Sequence, residues 1–203
     1  MKLNRIETWA MNNPLRAAIQ RRYEAPHLAR LAPKALAGAT TLIVGCGRGI
    51  DVRIAFDQFG VGAVTAFDLD EAQVARARRI LGDRYGERLR LQTADAAALP
   101  FGDATFDLAL DFAIIHHVPE WQNAVREVAR VLKPGGQFLF EEFSKRALDS
   151  LLFRIFTDHP RDNRFTPEQF GAECEAAGLA LAGPIESLPG FFRGCAVKAA
   201  NRP

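Results

Sequence analysis

The sequence has little cysteine, almost no surplus of one charge and no long apolar run. Its three cysteines, Cys46, Cys174 and Cys195, are odd in number and show no C-x-x-C spacing. Neither a disulfide framework nor a zinc site is therefore expected, and the pattern suits a reducing, cytoplasmic setting. A formal net charge of +2 is too small to point to nucleic acid or an acidic membrane as the main partner. The opening residues Met1-Lys2-Leu3-Asn4-Arg5-Ile6-Glu7 lack the apolar core of a secretion signal, and no later stretch is long enough to span a bilayer. Secretion and an integral membrane segment are not expected, and no repeat or low-complexity tract breaks the chain.

What is present is the composition of a folded domain. The 203 residues are 48% apolar and 25% charged, a balance that fits one globular unit with its own core. Short β-branched runs alternate with segments of helical apolar spacing. Thr40-Thr41-Leu42-Ile43-Val44 reads as a strand, followed by a helix from Ile50 to Phe59. Ala63 to Phe67 and Glu71 to Leu81 repeat the unit. Arg88 to Gln92, Phe106 to Leu110 and Gln137 to Phe143 supply further strands, and Trp121, Val125, Val128 and Leu132 mark one face of the intervening helix. Lys133-Pro134-Gly135-Gly136 is expected to end that helix. Ser144 to Phe156 reads as helical, with Leu148, Leu151, Leu152 and Ile155 inward. Thr166-Pro167-Glu168-Gln169 opens a helix with a capping box, and Leu179 to Ile185 and Phe191 to Ala199 form a candidate antiparallel hairpin. This rhythm predicts a mostly parallel sheet with helices on both faces and ligands at the carboxyl ends of its strands. Residues 1–37 lack it. Leu15, Ile19 and Tyr23 suggest a helix there, broken after Pro26 and Pro33, so 1–37 is read as a helical cap and 38–203 as one compact domain.

The chemistry-bearing residues lie at the strand ends. Gly45, Gly47 and Gly49, with Cys46 and Arg48 between them, let a ligand approach the backbone while the next helix offers free N–H groups. By themselves these glycines fit an ordinary strand-to-helix turn as well as a nucleotide site. Asp68 follows the second strand, where a carboxylate can accept hydrogen bonds from both hydroxyls of a ribose; Asp70, directly before Glu71, is better placed to cap the helix. Asp95 follows the third strand and can meet an adenine amino group or form a local Asx turn. Asp111 ends the fourth strand, with either an acid–base or a salt-bridge role. His116 and His117 point in different directions on a helical turn, so at most one faces a given site. Alternation likewise sends only one of Glu141 and Glu142 into the cleft. The six arginines from Arg76 to Arg90 are interleaved with only one aromatic residue, Tyr85, and read as a solvated face.

The ordered series Leu42-Ile43-Val44-Gly45-Cys46-Gly47-Arg48-Gly49, Phe67-Asp68-Leu69-Asp70, Ala94-Asp95-Ala96 through Leu99-Pro100-Phe101, Phe106-Asp107, His116-His117-Val118 and Val131-Leu132-Lys133-Pro134-Gly135-Gly136 resembles the class I S-adenosylmethionine-dependent methyltransferases of the small-molecule type. The resemblance runs from about residue 38 to 143. It implies an α/β, Rossmann-like doubly wound fold: a mostly parallel seven-stranded sheet with a C-terminal antiparallel strand. It further implies S-adenosyl-L-methionine as cofactor, with its methionine end over Gly45, Cys46 and Gly47, its ribose on Asp68 and its adenine near Leu69, Asp95 and Ala96. Phe112 matches a position whose backbone contacts the cofactor. The expected partner is a small-molecule methyl acceptor, with Asp111, His116 and Glu141 the candidate catalytic residues. Glu142-Phe143-Ser144-Lys145 is similar to a motif of quinone-ring C-methyltransferases. One position departs from the family: Ile43 stands where members carry an acid that helps hold the methionine ammonium. If that loss weakens the site, Ile43→Asp should tighten binding; if not, other groups anchor the methionine end. The competing readings are a nicotinamide-dependent oxidoreductase, disfavoured by G-x-G-x-G spacing and the lack of a Tyr-x-x-x-Lys pair, and a binding module without turnover.

Overall fold

The computed structural model describes residues 13–149 and 163–200. Five parallel strands form the centre of one sheet: β1 (Thr40–Val44), β2 (Ala63–Asp68), β3 (Leu89–Thr93), β4 (Phe106–Phe112) and β5 (Leu132–Phe143). β6 (Leu179–Leu181), β7 (Glu186–Leu188) and β8 (Phe191–Lys198) complete it. The order is β3-β2-β1-β4-β5-β8-β6, with β7 also paired to β8. β8 runs antiparallel to β5 and is the C-terminal antiparallel strand the family resemblance implies. Among the described residues the sheet has eight strands rather than seven because Glu186–Leu188 adds a short one. The expected hairpin exists in two pieces: β6 pairs with the far half of β8 and β7 with the near half. Gly183-Pro184 lies in the gap between β6 and β7, where proline has no N–H to give a ladder.

Helices α3 (Ile50–Asp57), α4 (Glu71–Leu81), α5 (Trp121–Val131) and α7 (Pro167–Ala176) cover the sheet, and α6 (Lys145–Leu148) follows β5. Their boundaries follow from local chemistry. The Asp70 carboxylate accepts the Ala72 N–H and caps α4. Thr166 and Gln169 form the expected capping box of α7, with Pro167 in its first turn. Ser144 caps α6 by accepting the Ala147 N–H. Leu148 is buried as expected; the inward positions assigned to Leu151, Leu152 and Ile155 lie outside the described residues. The fifth strand starts earlier than its sequence suggests. Leu132 is already extended at φ −73° and ψ 139°, and Lys133-Pro134-Gly135-Gly136 forms an irregular stretch where the register slips between Phe106 and Leu108.

The amino-terminal segment is helical as expected and requires one correction. Pro26 does not end the helix: α1 (Pro14–Ile19), a π-helical turn (Gln20–Glu24) and α2 (Ala25–Arg30) form a continuous helical run. The wide turn before Pro26 absorbs the missing N–H and the steric demand of its ring. The apolar stripe also faces outward, with Leu15, Ile19 and Tyr23 exposed by 70%, 43% and 50%. The opposite side, carrying Gln20, Glu24, Ala25 and Leu28, is buried.

Two apolar layers sandwich the sheet. One joins Ile43, Val52, Ile54, Ala66, Leu108 and Leu110 to Ala25 and Leu28 of α2. The other contains Leu42, Val44, Phe138 and Phe140 and packs on α5 and α7. At its centre the buried Phe170 ring lies 4.9, 5.1, 5.6 and 5.8 Å from those of Phe140, Phe165, Phe192 and Trp121. Truncation would leave a void bordered by four rings. Phe170→Ala is therefore expected to cost about 3–5 kcal/mol, read from denaturant unfolding as a lower midpoint with an unchanged slope.

Candidate functional site

β1 lies between β2 and β4, so the chain leaves it toward one side of the sheet and later returns on the other. A crevice opens at the carboxyl ends of such strands. Gly45 begins the turn there with φ 72°, and a Cβ on it would sit 2.6 Å from Ile114 Cγ1. Gly49 closes the turn with φ 84°, where a Cβ would meet Leu81 Cδ1 at 2.7 Å. Both positions thus need glycine for space as well as for conformation. The Cys46 N–H donates to the Phe67 carbonyl at 2.6 Å, and the Gly47 N–H donates to Asp68 Oδ2 at 3.0 Å. The turn is tied to the end of β2 by these two bonds. Asp68 Oδ1 also accepts the Asp70 N–H at 3.0 Å, leaving lone pairs on a carboxylate that points into the crevice.

A cavity of about 410 Å³ occupies this position. All eight residues expected at a cofactor line it: Gly45, Cys46, Gly47, Asp68, Leu69, Asp95, Ala96 and Phe112. Its volume and mixed lining suit a single nucleoside-sized ligand. Asp68 after β2 and Asp95 after β3 share the cavity with the open backbone of Gly47, on which a Cβ would meet nothing within 4 Å. Asp95 also makes the local turn considered for it, its Oδ1 accepting the Ala97 N–H at 2.9 Å. The residue set therefore fits an adenosyl group. Burial pushes the Asp68 carboxyl upward, opposed by its bonds to the Asp70 and Gly47 N–H groups. Burial also raises the Cys46 thiol to about 12, so it is a neutral wall group rather than a nucleophile.

The structure places Asp111, His116 and Glu141 elsewhere. None belongs to the cavity lining; all three are buried behind it. His116 Nδ1 lies 2.5 Å from Glu142 Oε2, and the His116 backbone N–H donates to Glu142 Oε1 at 3.3 Å. Asp111 accepts the Ile114 N–H at 3.1 Å. Burial, then the negative charge of Glu142, holds the Asp111 carboxyl well above its usual range. Burial raises Glu142 to about 7, and burial followed by the charge of Glu24 raises Glu141 to about 8. Of the two histidines, His117 lines the cavity. Ala113, directly after β4, adopts φ 61°, costly for a residue with a Cβ, and its N–H donates to the Glu141 carbonyl at 2.7 Å.

Sequence reasoning missed Arg16, Gln20, Asp51, Gln73 and Glu120 in the lining. The Gln20 amide donates to Asp51 Oδ1, joining the amino-terminal helix to α3. Burial lifts Asp51 to about 7, against the bond from Gln20 and the nearby positive charge of Arg16. Ile43 is fully buried in the apolar layer shared with Val52 and Leu110.

The strand order and the crevice at its switch point define a Rossmann-like architecture, and the similar proteins are methyltransferases. The family described as "Methyltransferase domain" matches residues 42–140. The ubiquinone/menaquinone biosynthesis C-methyltransferase of Methylobacterium nodulans is 33% identical over 156 residues, covering 71% of this chain and 61% of the relative. The 27-O-demethylrifamycin SV methyltransferase of Amycolatopsis mediterranei is 35% identical over 108 residues, covering 53% and 39%. The chain thus spans about three fifths and two fifths of these relatives' lengths. An S-adenosylmethionine-dependent methyltransferase from Mesorhizobium loti shares the fold, with TM-score 0.71 and 21% identity over 85% of this chain and 96% of that one. The chain thus carries a match to the methyltransferase-domain family over residues 42–140 and shares its fold with a solved methyltransferase. Among the described residues, no helix is long and apolar enough to cross a membrane.

The buried acids make stability depend on pH. A carboxyl whose pKa is raised on folding binds its proton more tightly in the native state, so stability falls as pH rises from the unfolded value through the folded one. For Asp51, Glu141 and Glu142 this window runs from about 4 to about 8. The ligand-free protein should melt several degrees lower at about pH 8 than at about pH 6, and Glu141→Gln should flatten the dependence in thermal scans.

Proposed function

We propose that this chain transfers the methyl group of S-adenosylmethionine to an oxygen, nitrogen or carbon nucleophile of a small-molecule acceptor. The observation that carries the reading is the convergence of the glycine turn, Asp68 and Asp95 on one cavity. Asp68 accepts from the ribose hydroxyls, Leu69, Asp95 and Ala96 frame the adenine, and Gly45, Cys46 and Gly47 back the methionine end. Phe112 borders the reacting centre. When bound, the cofactor supplies a methyl group already activated by its sulfonium. The chain's own task is then to align the acceptor and exclude water, a contribution of about 7–11 kcal/mol in well-oriented systems. His117, Pro119 and Glu120 form the wall beyond Ile114, and His117 is the histidine placed to meet an acceptor. In this reading the cluster of Asp111, His116 and Glu142, and Glu141 beside Glu24, support the strand ends rather than touching the acceptor.

The segment up to residue 37 serves as a cap, residues 38–203 as the catalytic unit, and the setting is cytoplasmic. Quinone-ring acceptors head the panel to be tried. Glu142-Phe143-Ser144-Lys145 runs from the end of β5 into the cap of α6, and a relative is named as a quinone-pathway C-methyltransferase.

Calorimetric titration separates this proposal from its rivals. S-adenosylmethionine and S-adenosylhomocysteine should both saturate the protein, and Asp68→Ala should weaken each at least about tenfold, equivalent to about 1.4 kcal/mol. Binding of NAD with neither adenosyl ligand would contradict the proposal. Adenosyl binding without methyl transfer across the panel would identify a binding module.

A further inference from the structure

The amino-terminal helical run has an outer face that the main cavity does not use. Three of the five large apolar side chains exposed among the described residues, Leu15, Ile19 and Tyr23, stand along it at i, i+4 and i+8. The exposed charges of this face are all of one sign. Between residues 13 and 37 the chain carries five Arg or Lys side chains and one acid, a local charge of +4, so within the whole chain's +2 the remaining residues net −2. The one acid, Glu24, is turned inward onto Arg16. Arg21, Arg22 and Arg30 are exposed, and none pairs with an acid among the described residues. Arg21 and Arg22 also border a hollow beside the apolar ridge, together with Ala18 and Gln58. Asp57, next to Gln58, is occupied by Arg84 and Tyr85. The near-neutral total charge thus conceals a basic, apolar-ridged face.

We propose that this face docks peripherally on an anionic phospholipid bilayer, with Leu15, Ile19 and Tyr23 entering the headgroup boundary and Arg21 and Arg22 taking lipid phosphates at the hollow beside them. A helix lying in the interface buries its apolar side only about 5–10 Å deep, which a ridge one side chain wide can reach. Arginine stems lie along apolar surface while their guanidinium heads stay at the phosphates, and a tyrosine ring with its hydroxyl suits a boundary that is apolar on one side and wet on the other. A protein contact of standard size buries about 800 Å² on each partner, more than a single row of three side chains offers. Arg16 and Gln20 leave the same helical run on its inner side to line the main cavity. Docking would therefore hold that cavity one helix diameter, about 10 Å, from the headgroups. No residue of the ridge or the hollow lines the main cavity, so docking and adenosyl binding are separate properties.

Vesicle co-sedimentation with two compositions, phosphatidylcholine alone and phosphatidylcholine mixed with phosphatidylglycerol, reads the docking directly. Wild-type protein should partition onto the anionic vesicles at least about tenfold more strongly than onto the neutral ones, and added salt should weaken this partition. Arg21→Gln combined with Arg22→Gln should lower the anionic partition about 30-fold, and Leu15→Ser combined with Ile19→Ser at least about tenfold. All four positions are exposed, so both variants should melt within about 3 °C of the wild type. Absence of wild-type binding, equal binding to the two compositions, or full binding by both variants would overturn the proposal. A concentration-dependent oligomer that Leu15→Ser with Ile19→Ser abolishes, without vesicle binding, would also overturn it and mark the ridge as a protein contact.

Discussion

The strand-to-helix turn after β1 is the constraint on which the site depends. β1 is hydrogen-bonded on both edges, to β2 and to β4, so its chain can leave the sheet only over the carboxyl end. A left-handed residue at Gly45, packed against Ile114, redirects it at once. The bonds from Cys46 to Phe67 and from Gly47 to Asp68 then fix the turn to the neighbouring strand. One set of contacts thereby shapes the crevice, orients the Asp68 carboxylate and positions the first turn of α3. A side chain larger than hydrogen at Gly45 would disturb all three.

Beneath this turn the protein maintains an unusual density of buried acid. Asp51, Glu24 and Glu141 lie between the strand ends and the amino-terminal helix, with Arg16 and Arg193 as counterparts, while Asp111 and Glu142 lie on the other face of the sheet beside His116. Apolar packing alone would serve stability better there, because buried ionisable groups lose hydration that their partners only partly restore. The outward stripe of Leu15, Ile19 and Tyr23 follows from the same arrangement: the helix turns its polar side inward to meet Asp51 and Glu141, which leaves its apolar residues on the surface.

The parallel core was legible because each of its signals is local. β-branched runs ended by glycine or aspartate located the strands, the Asp70 and Thr166 caps located helix starts, and the fixed order of motifs located residues that line one cavity. The amino-terminal helix was less legible, since hydrophobic periodicity assigns apolar residues to the core and here buried polar partners decide the orientation. Pro26 misled for a related reason: a π-helical turn accommodates proline, and no residue pattern announces it. Asp111, His116 and Glu141 were singled out by residue type at strand ends. Which side of the wall each occupies depends on pairing with Glu142, Glu24 and Arg193, contacts between segments far apart in sequence. Asp51 carried no signal beyond its place after the glycines; its partner Gln20 comes from a segment outside the repeating rhythm.

The central claim is that the crevice at the end of β1 receives an adenosyl ligand in one orientation, and a crystal structure with S-adenosylhomocysteine bound tests it most directly. The account predicts the ribose hydroxyls on Asp68, the adenine between Leu69 and Ala96, and the amino-acid group beside Gly45 to Gly47. Ligand density outside this cavity, or within it with the amino-acid group at Asp95, would contradict the account.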